Sequence, residues 1–177
     1  MRQIVLLRGI NLGSRNRIAM PALRELLSDA GFADVRTYVQ SGNVVLSSDD
    51  PPERVAERCR ESVAEALGLD IAVVARTRDE LAEVVRLNPL ERVAVNPKRY
   101  QVTFLSGELD PEPLQRITAL AAGGERLLAV GRELYSWHPE GIGRSKLWAK
   151  LASSSLEVTA TARNWNTVTN LLAIADE

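Results

Sequence analysis

The chain has 177 residues, 45% of them apolar, and a formal net charge of −1 from 22 basic and 23 acidic side chains. That length and apolar share bury a core for one domain or for two small ones, and the balanced charge gives no overall positive field to hold nucleic acid without sequence preference. With one cysteine and one histidine, an intramolecular disulfide framework is excluded and a Cys/His zinc site lacks ligands, so no metal is expected.

The opening MRQIVLLRGINLG holds an apolar stretch of about five residues before Arg8, short of the ~7–15 of a signal segment or the ~20 of a membrane span. A cytoplasmic protein with no membrane attachment is the expectation. RQIVLL reads as a strand and RGINLGSRNRIAM as a polar loop. PALRELLSDAGF then sets Leu23, Leu26, Leu27 and Ala30 at helical spacing, with Pro21 in the first turn and Gly31 as the stop. DVRTYV and NVVLSS are strand-like runs around a hairpin turn, QSGN. In ERVAERCRESVAEALG, Cys59 shares a helical stripe with Val55, Val63, Ala66 and Leu67, which makes it a buried structural thiol. The strand DIAVVA, the helix TRDELAEVVRLN and the segment PLERVAVNPK follow.

The second half repeats the order without obvious identity: strand RYQVTFL, helix PEPLQRITALAA, strands ERLLAV and ELYSWH around a turn, helix GRSKLWAKLA, strand EVTATAR and the closing helix NWNTVTNLLAIAD. His138 precedes Pro139 in what reads as a loop, so a surface or lightly packed imidazole is expected there rather than a proton shuttle. The fold class is therefore α+β: two tandem ferredoxin-like β-α-β-β-α-β halves, residues 1–76 and 98–177, joined by a helical connection over 77–97, with a C-terminal helix at the end.

Alternating strand directions put the loop after the first strand and the hairpin between the second and third strands at one end of the sheet. In a split βαβ arrangement the first and third strands are also neighbours. RGIN and QSGN, far apart in sequence, are thus expected to touch.

Three loops carry unusual chemistry. In RGINLGSRNR, Gly9 and Gly13 free the backbone, Asn11 and Asn16 donate and accept, and Arg8, Arg15 and Arg17 bring charge just before a helix N-terminus. The loop fits an anion site, and it equally fits a solvated loop edged by arginines. It is neither G-x-x-x-x-G-K-[ST] nor G-x-G-x-x-G. QSGN alone is a turn; adjacency to Arg8 and Asn11 would make Gln40, Ser41 and Asn43 line a site. TARNWNT offers Asn164 as an N-cap and Trp165 on an apolar stripe with Val168, Leu172 and Ala175. Arg163 closes the strand, and Asn166 and Thr167 beside it exceed what capping requires and suit, with the arginine, a donor-rich cradle. GIGRSKLWAK adds Arg144, Lys146 and Lys150, with Lys146 and Lys150 on one face, which fits a basic face on a solvated helix first; Ser145 and Lys146 point about 100° apart on a helix, so they form no nucleophile pair.

The segments LLRGINLGSRNRIAMPALRELL, TYVQSGNVVLSS, GIGRSKL and TARNWNTVTNLL, in that order, resemble the bacterial family DUF1697, a domain of unknown function. The resemblance implies signature positions at Arg8, Gly9, Asn11, Gly13, Gln40, Ser41, Gly42, Asn43, Ser145, Lys146, Arg163, Asn164, Trp165 and Thr167. Where the family commonly reads Gly-Gly-Lys-Asn, this chain has Gly13, Ser14, Arg15 and Asn16. The resemblance implies no activity.

Histidine, cysteine and carboxylates are missing from these positions, which bind and polarise better than they move protons. The leading expectation is a small anionic or phosphate-bearing ligand held in a cleft of RGIN, QSGN and TARNWNT. An enzyme acting on a phosphorylated or carboxylate substrate by electrostatic positioning is the alternative. A nucleic-acid module using Tyr38, Tyr100, Phe104, Tyr135 or Trp137 is less favoured, since no paired aromatic motif accompanies them. Nothing in the residues names a cofactor or an oligomeric state.

Overall fold

RQIVLL forms β1 (Arg2–Leu7), whose apolar run is unbroken because both its faces are buried: Val5 and Leu7 point to one side, Ile4 and Leu6 to the other. In the computed structural model, which describes residues 1–177, β1 is followed by α1 (Met20–Asp29), β2 (Ala33–Tyr38), β3 (Asn43–Ser47), α2 (Pro52–Leu67), β4 (Val73–Thr77) and α3 (Arg78–Leu87). The second series is β5 (Tyr100–Leu105), α4 (Pro111–Thr118), β6 (Arg126–Val130), β7 (Glu133–Trp137), α5 (Lys146–Leu151), β8 (Ala160–Asn164) and α6 (Trp165–Ala175). The protein is thus α+β, with two four-stranded antiparallel sheets and six helices. Two compact units result: Met1–Glu83 with Asn170–Glu177, and Val84–Thr169.

The first sheet has strand order β2-β3-β1-β4, so β1 lies beside β3 with Leu6 opposite Asn43. Val5, Leu7, Val44 and Leu46 pack against Leu23 and Leu27 of α1 and Val55, Cys59 and Val63 of α2. Fully burying each such aliphatic side chain stabilises by about 1.5–3 kcal/mol. The Cys59 thiol is fully buried as its helical stripe implied, and burial pushes its pKa up to about 12. The edge strand β2 carries a bulge between Ala33 and Arg36, which breaks an otherwise regular exposed edge.

The second sheet repeats the plan in the order β6-β7-β5-β8, with Leu105, Leu134 and Ala160 packed against Ile117 of α4 and Leu147 and Leu151 of α5. A local repeat appears once the strands are aligned. Gln3 stands opposite Thr77 and Gln101 opposite Asn164; Arg76 stands opposite Ile4 and Arg163 opposite Val102. Each fourth strand ends Ala-Arg-Thr/Asn, and that last residue caps the helix that follows. Thr77 Oγ1 accepts from the Glu80 amide (3.1 Å) while Glu80 Oε2 accepts from the Thr77 amide (2.8 Å), and Asn164 Oδ1 accepts from the Thr167 amide (2.9 Å).

Candidate functional site

The loop after β1 is an ordered turn. Asn11 and Gly13 have φ of 57° and 59°, the Asn11 amide donates to Asn16 O (3.1 Å) and the Arg15 amide to Leu12 O (3.1 Å). The Asn11 side chain is committed to the fold: Nδ2 donates to Ile18 O (2.9 Å) and Gln40 O (2.7 Å), and Oδ1 accepts from the Ile18 amide (2.8 Å). RGIN and QSGN therefore meet, and Asn11 is the clamp between them. Asn11→Ala is expected to cost about 2–3 kcal/mol, read as a lower midpoint in urea, because it deletes three bonds of about 1 kcal/mol each.

Asn43 is fully buried and donates to Tyr38 O (3.2 Å) and Ser41 Oγ (3.0 Å), so it too holds the turn. Gln40 and Ser41 are exposed beside it, and Val39 sits at φ 51°, an unusual conformation for a β-branched residue. Arg15 and Arg17 are exposed and their side chains meet no acceptor, and the tip amides of Gly13 and Ser14 form no hydrogen bond within the protein. The helix that begins at Met20 has no side-chain cap and no acid in its first turn.

The remaining candidates belong to the second unit. Trp165 stacks on Tyr100 with centroids 4.7 Å apart and an 18° interplanar angle, which explains the indole between two carboxamides as a packing residue. Arg163 donates to Thr161 Oγ1 (2.7 Å) and Ala162 O (2.8 Å), and burial lowers its pKa to about 10, so it stays charged at neutral pH. Asn164 and Thr167 share the cap bond already described, and Asn166 lies in the same turn. Lys146 is exposed at the start of α5, whose cap is Ser145, accepting from the Trp148 amide (2.9 Å).

A model of DUF1697, described as a protein of unknown function, matches residues 1–135. The chain belongs to this family. The matched residues include both loops of the first unit and stop short of GIGRSKL and TARNWNT, so the positions in those two segments rest on resemblance alone. The conserved bacterial protein SP0830 from Streptococcus pneumoniae is similar in structure, with a TM-score of 0.77 and 22% identity over 98% of each chain. At that identity the shared property is the fold. Among curated proteins none matches.

In this DUF1697 chain, His138 departs from the sequence reading. It is fully buried rather than a surface or lightly packed loop residue, because its amide donates to Arg99 O (3.0 Å) and carries the pairing of β7 one residue past Trp137. Its Nδ1 lies 2.5 Å from Glu125 Oε2 and its Nε2 2.8 Å from Ser136 Oγ, while Trp148 meets the ring edge-on at 5.7 Å. Ser145 Oγ donates to the same Glu125 oxygen (2.5 Å). Burial holds the His138 pKa below its ordinary value, against the opposing pull of Glu125; the neutral ring donates from Nδ1 and accepts Ser136 Oγ–H at Nε2. For Glu125, burial favours the protonated form, but bonds from Ser145, His138 and the Ala122 amide outweigh it and hold the pKa low. No spacing in the sequence links residues 125, 136, 138 and 145. The cluster fastens α5 to the end of β7, with Ser136 and His138 both sealed from solvent and Ser145 half-buried at the start of the helix.

Proposed function

We propose that this DUF1697 protein binds a small anionic or phosphate-bearing ligand at the loop end of its first unit, where residues 8–19 and 39–42 meet. The observation that carries this reading is the state of Arg15 and Arg17. Six other arginines of that unit sit on carboxylates, in the pairs Arg2–Asp34, Arg36–Glu177, Arg54–Glu57, Arg58–Asp50, Arg60–Asp70 and Arg78–Asp176. Arg15 and Arg17 have no such partner, and they precede a helix start without a cap, beside unused amides at Gly13 and Ser14. Guanidinium groups, free N–H groups and the positive end of a helix all favour the same kind of ligand. Arg8, Gln40 and Ser41 flank the loop and supply polar contacts; Asn11 and Asn43 hold its shape. Lys146, Arg163, Asn166 and Thr167 are further candidates for the same class of ligand, and Asn164 acts there as the cap.

The scaffold is read as two ferredoxin-like halves, residues 1–76 and 98–177, joined through 77–97. The strand orders β2-β3-β1-β4 and β6-β7-β5-β8 support that reading.

Thermal unfolding in low salt against nucleotides, sugar phosphates, polyphosphate and small carboxylates tests the ligand. At 100 times its dissociation constant a ligand stabilises by about 2.7 kcal/mol, a rise on the order of 5–10 °C for a protein of this size. The rise is expected to vanish in an Arg15→Ala, Arg17→Ala double variant. No response to any compound, or a response unchanged in that variant, overturns the proposal.

A further inference from the structure

A cavity of about 290 Å³ lies entirely among residues of the second unit, between α4, α5 and the segment that leads into β8. Its apolar floor comes from Leu109, Ile117, Leu120 and Leu156, all part of or packed on the core of that unit. Lys150 of α5 reaches the same lining, half-buried. We propose that this cavity binds a small apolar carboxylate, its head on Lys150 Nζ and its hydrocarbon part over the four-residue floor.

The charge state of the lining supports the head group. Lys150 Nζ donates to Ser155 Oγ (2.9 Å) and to nothing else, which leaves an ammonium with three donors on one neutral acceptor. Serines fix the segment that supplies that acceptor: Ser155 Oγ lies 2.6 Å from Ser153 Oγ, and Ser153 Oγ donates to Lys150 O (2.7 Å). Arg116, the other cation of the lining, is already paired with Glu112 at 2.8 Å. Glu157 also lines the cavity but forms no ion pair with Lys150, so the lysine's charge is available. One unpaired ammonium, with the Glu157 carboxylate in the same lining, matches a singly charged carboxylate rather than a doubly charged phosphate, and the volume is at the small end of ligand cavities, which run from ~300 Å³ upward. Burying an alkyl chain on the floor adds affinity in proportion to the apolar area removed from water. The site shares no residue with the anion loop of the first unit, so either proposal can fail without the other.

Octanoate titrated into the full-length protein at neutral pH, followed by methyl resonances of Ile117, Leu120 and Leu156, tests the inference. Saturable shifts at these methyls are expected for octanoate and not for acetate, which has the head without the chain, and octanol should bind at least about tenfold more weakly. Lys150→Met should weaken octanoate by about tenfold, Lys150→Arg should retain most of the affinity, and Glu157→Gln should tighten it by removing a like charge. Absence of saturable methyl shifts, equal affinity for octanol and octanoate, or an unchanged affinity in Lys150→Met would overturn the proposal.

Discussion

Replacing His138 by alanine is expected to destabilise the protein by about 3–5 kcal/mol, since it removes a buried ring and leaves the buried Ser136 hydroxyl and the Glu125 carboxylate short of a partner. The thermal midpoint should fall on the order of 10 °C. A loss below about 1 kcal/mol would show that the cluster fastens nothing. The same residue sets an acid dependence. Because burial keeps the folded pKa of His138 below its ordinary 6.5, the unfolded chain binds a proton that the folded chain declines as pH drops under about 6.5. The stability this residue contributes is therefore complete above that pH and is lost progressively below it. Glu125, whose folded pKa is also depressed, adds a second loss below its ordinary 4.5. The chain has a single histidine, so the slope between pH 7 and 5 in urea denaturation should be shallower in His138→Gln. An unaltered slope would contradict a buried neutral imidazole.

Gly42→Ala is the second large effect, expected at about 3 kcal/mol or more. Gly42 has φ 78°, where an L side chain costs roughly 1–2 kcal/mol, and an added Cβ would sit 2.9 Å from both Leu7 Cβ and Leu7 O and 3.0 Å from Ile10 Cγ1. The neighbours cannot yield cheaply, because the Leu7 amide donates to Gly42 O (2.9 Å) and both Leu7 and Ile10 are core residues. Urea denaturation of the variant measures the loss. By contrast Gly13→Ala meets no atom within 4 Å, so its cost is the backbone conformation alone. Equal losses in the two variants would mean that close approach at Gly42 is not what requires glycine.

These contrasts also explain what the sequence made legible. Helical stripes such as Leu23 and Leu27 or Val55, Cys59 and Val63 read directly, since one periodic face meets one sheet. The meeting of RGIN with QSGN followed from strand direction together with the neighbouring of the first and third strands, and the bond from Asn11 to Gln40 O realises it. What each polar side chain does there was not legible. Asn11 and Asn43 read as ligand groups, whereas the Asn11 amide donates to the Ile18 and Gln40 carbonyls and the Asn43 amide to Tyr38 O and Ser41 Oγ, and only geometry separates the two uses. The stack of Trp165 on Tyr100 joins strands and helices distant in sequence, and the burial of His138 depends on a pairing with Arg99 that Pro139 conceals. The repeated glutamine and Ala-Arg-Thr/Asn positions emerge only when strand register aligns them.

The most direct test of the anion-binding account is a backbone amide titration of the full-length protein with pyrophosphate in low salt. Saturable shifts confined to Gly9 through Leu23 and to Gln40 through Gly42, lost in the Arg15→Ala, Arg17→Ala variant, are the expected result. Shifts that never saturate, or that leave residues 9–23 unmoved while others respond, would contradict it.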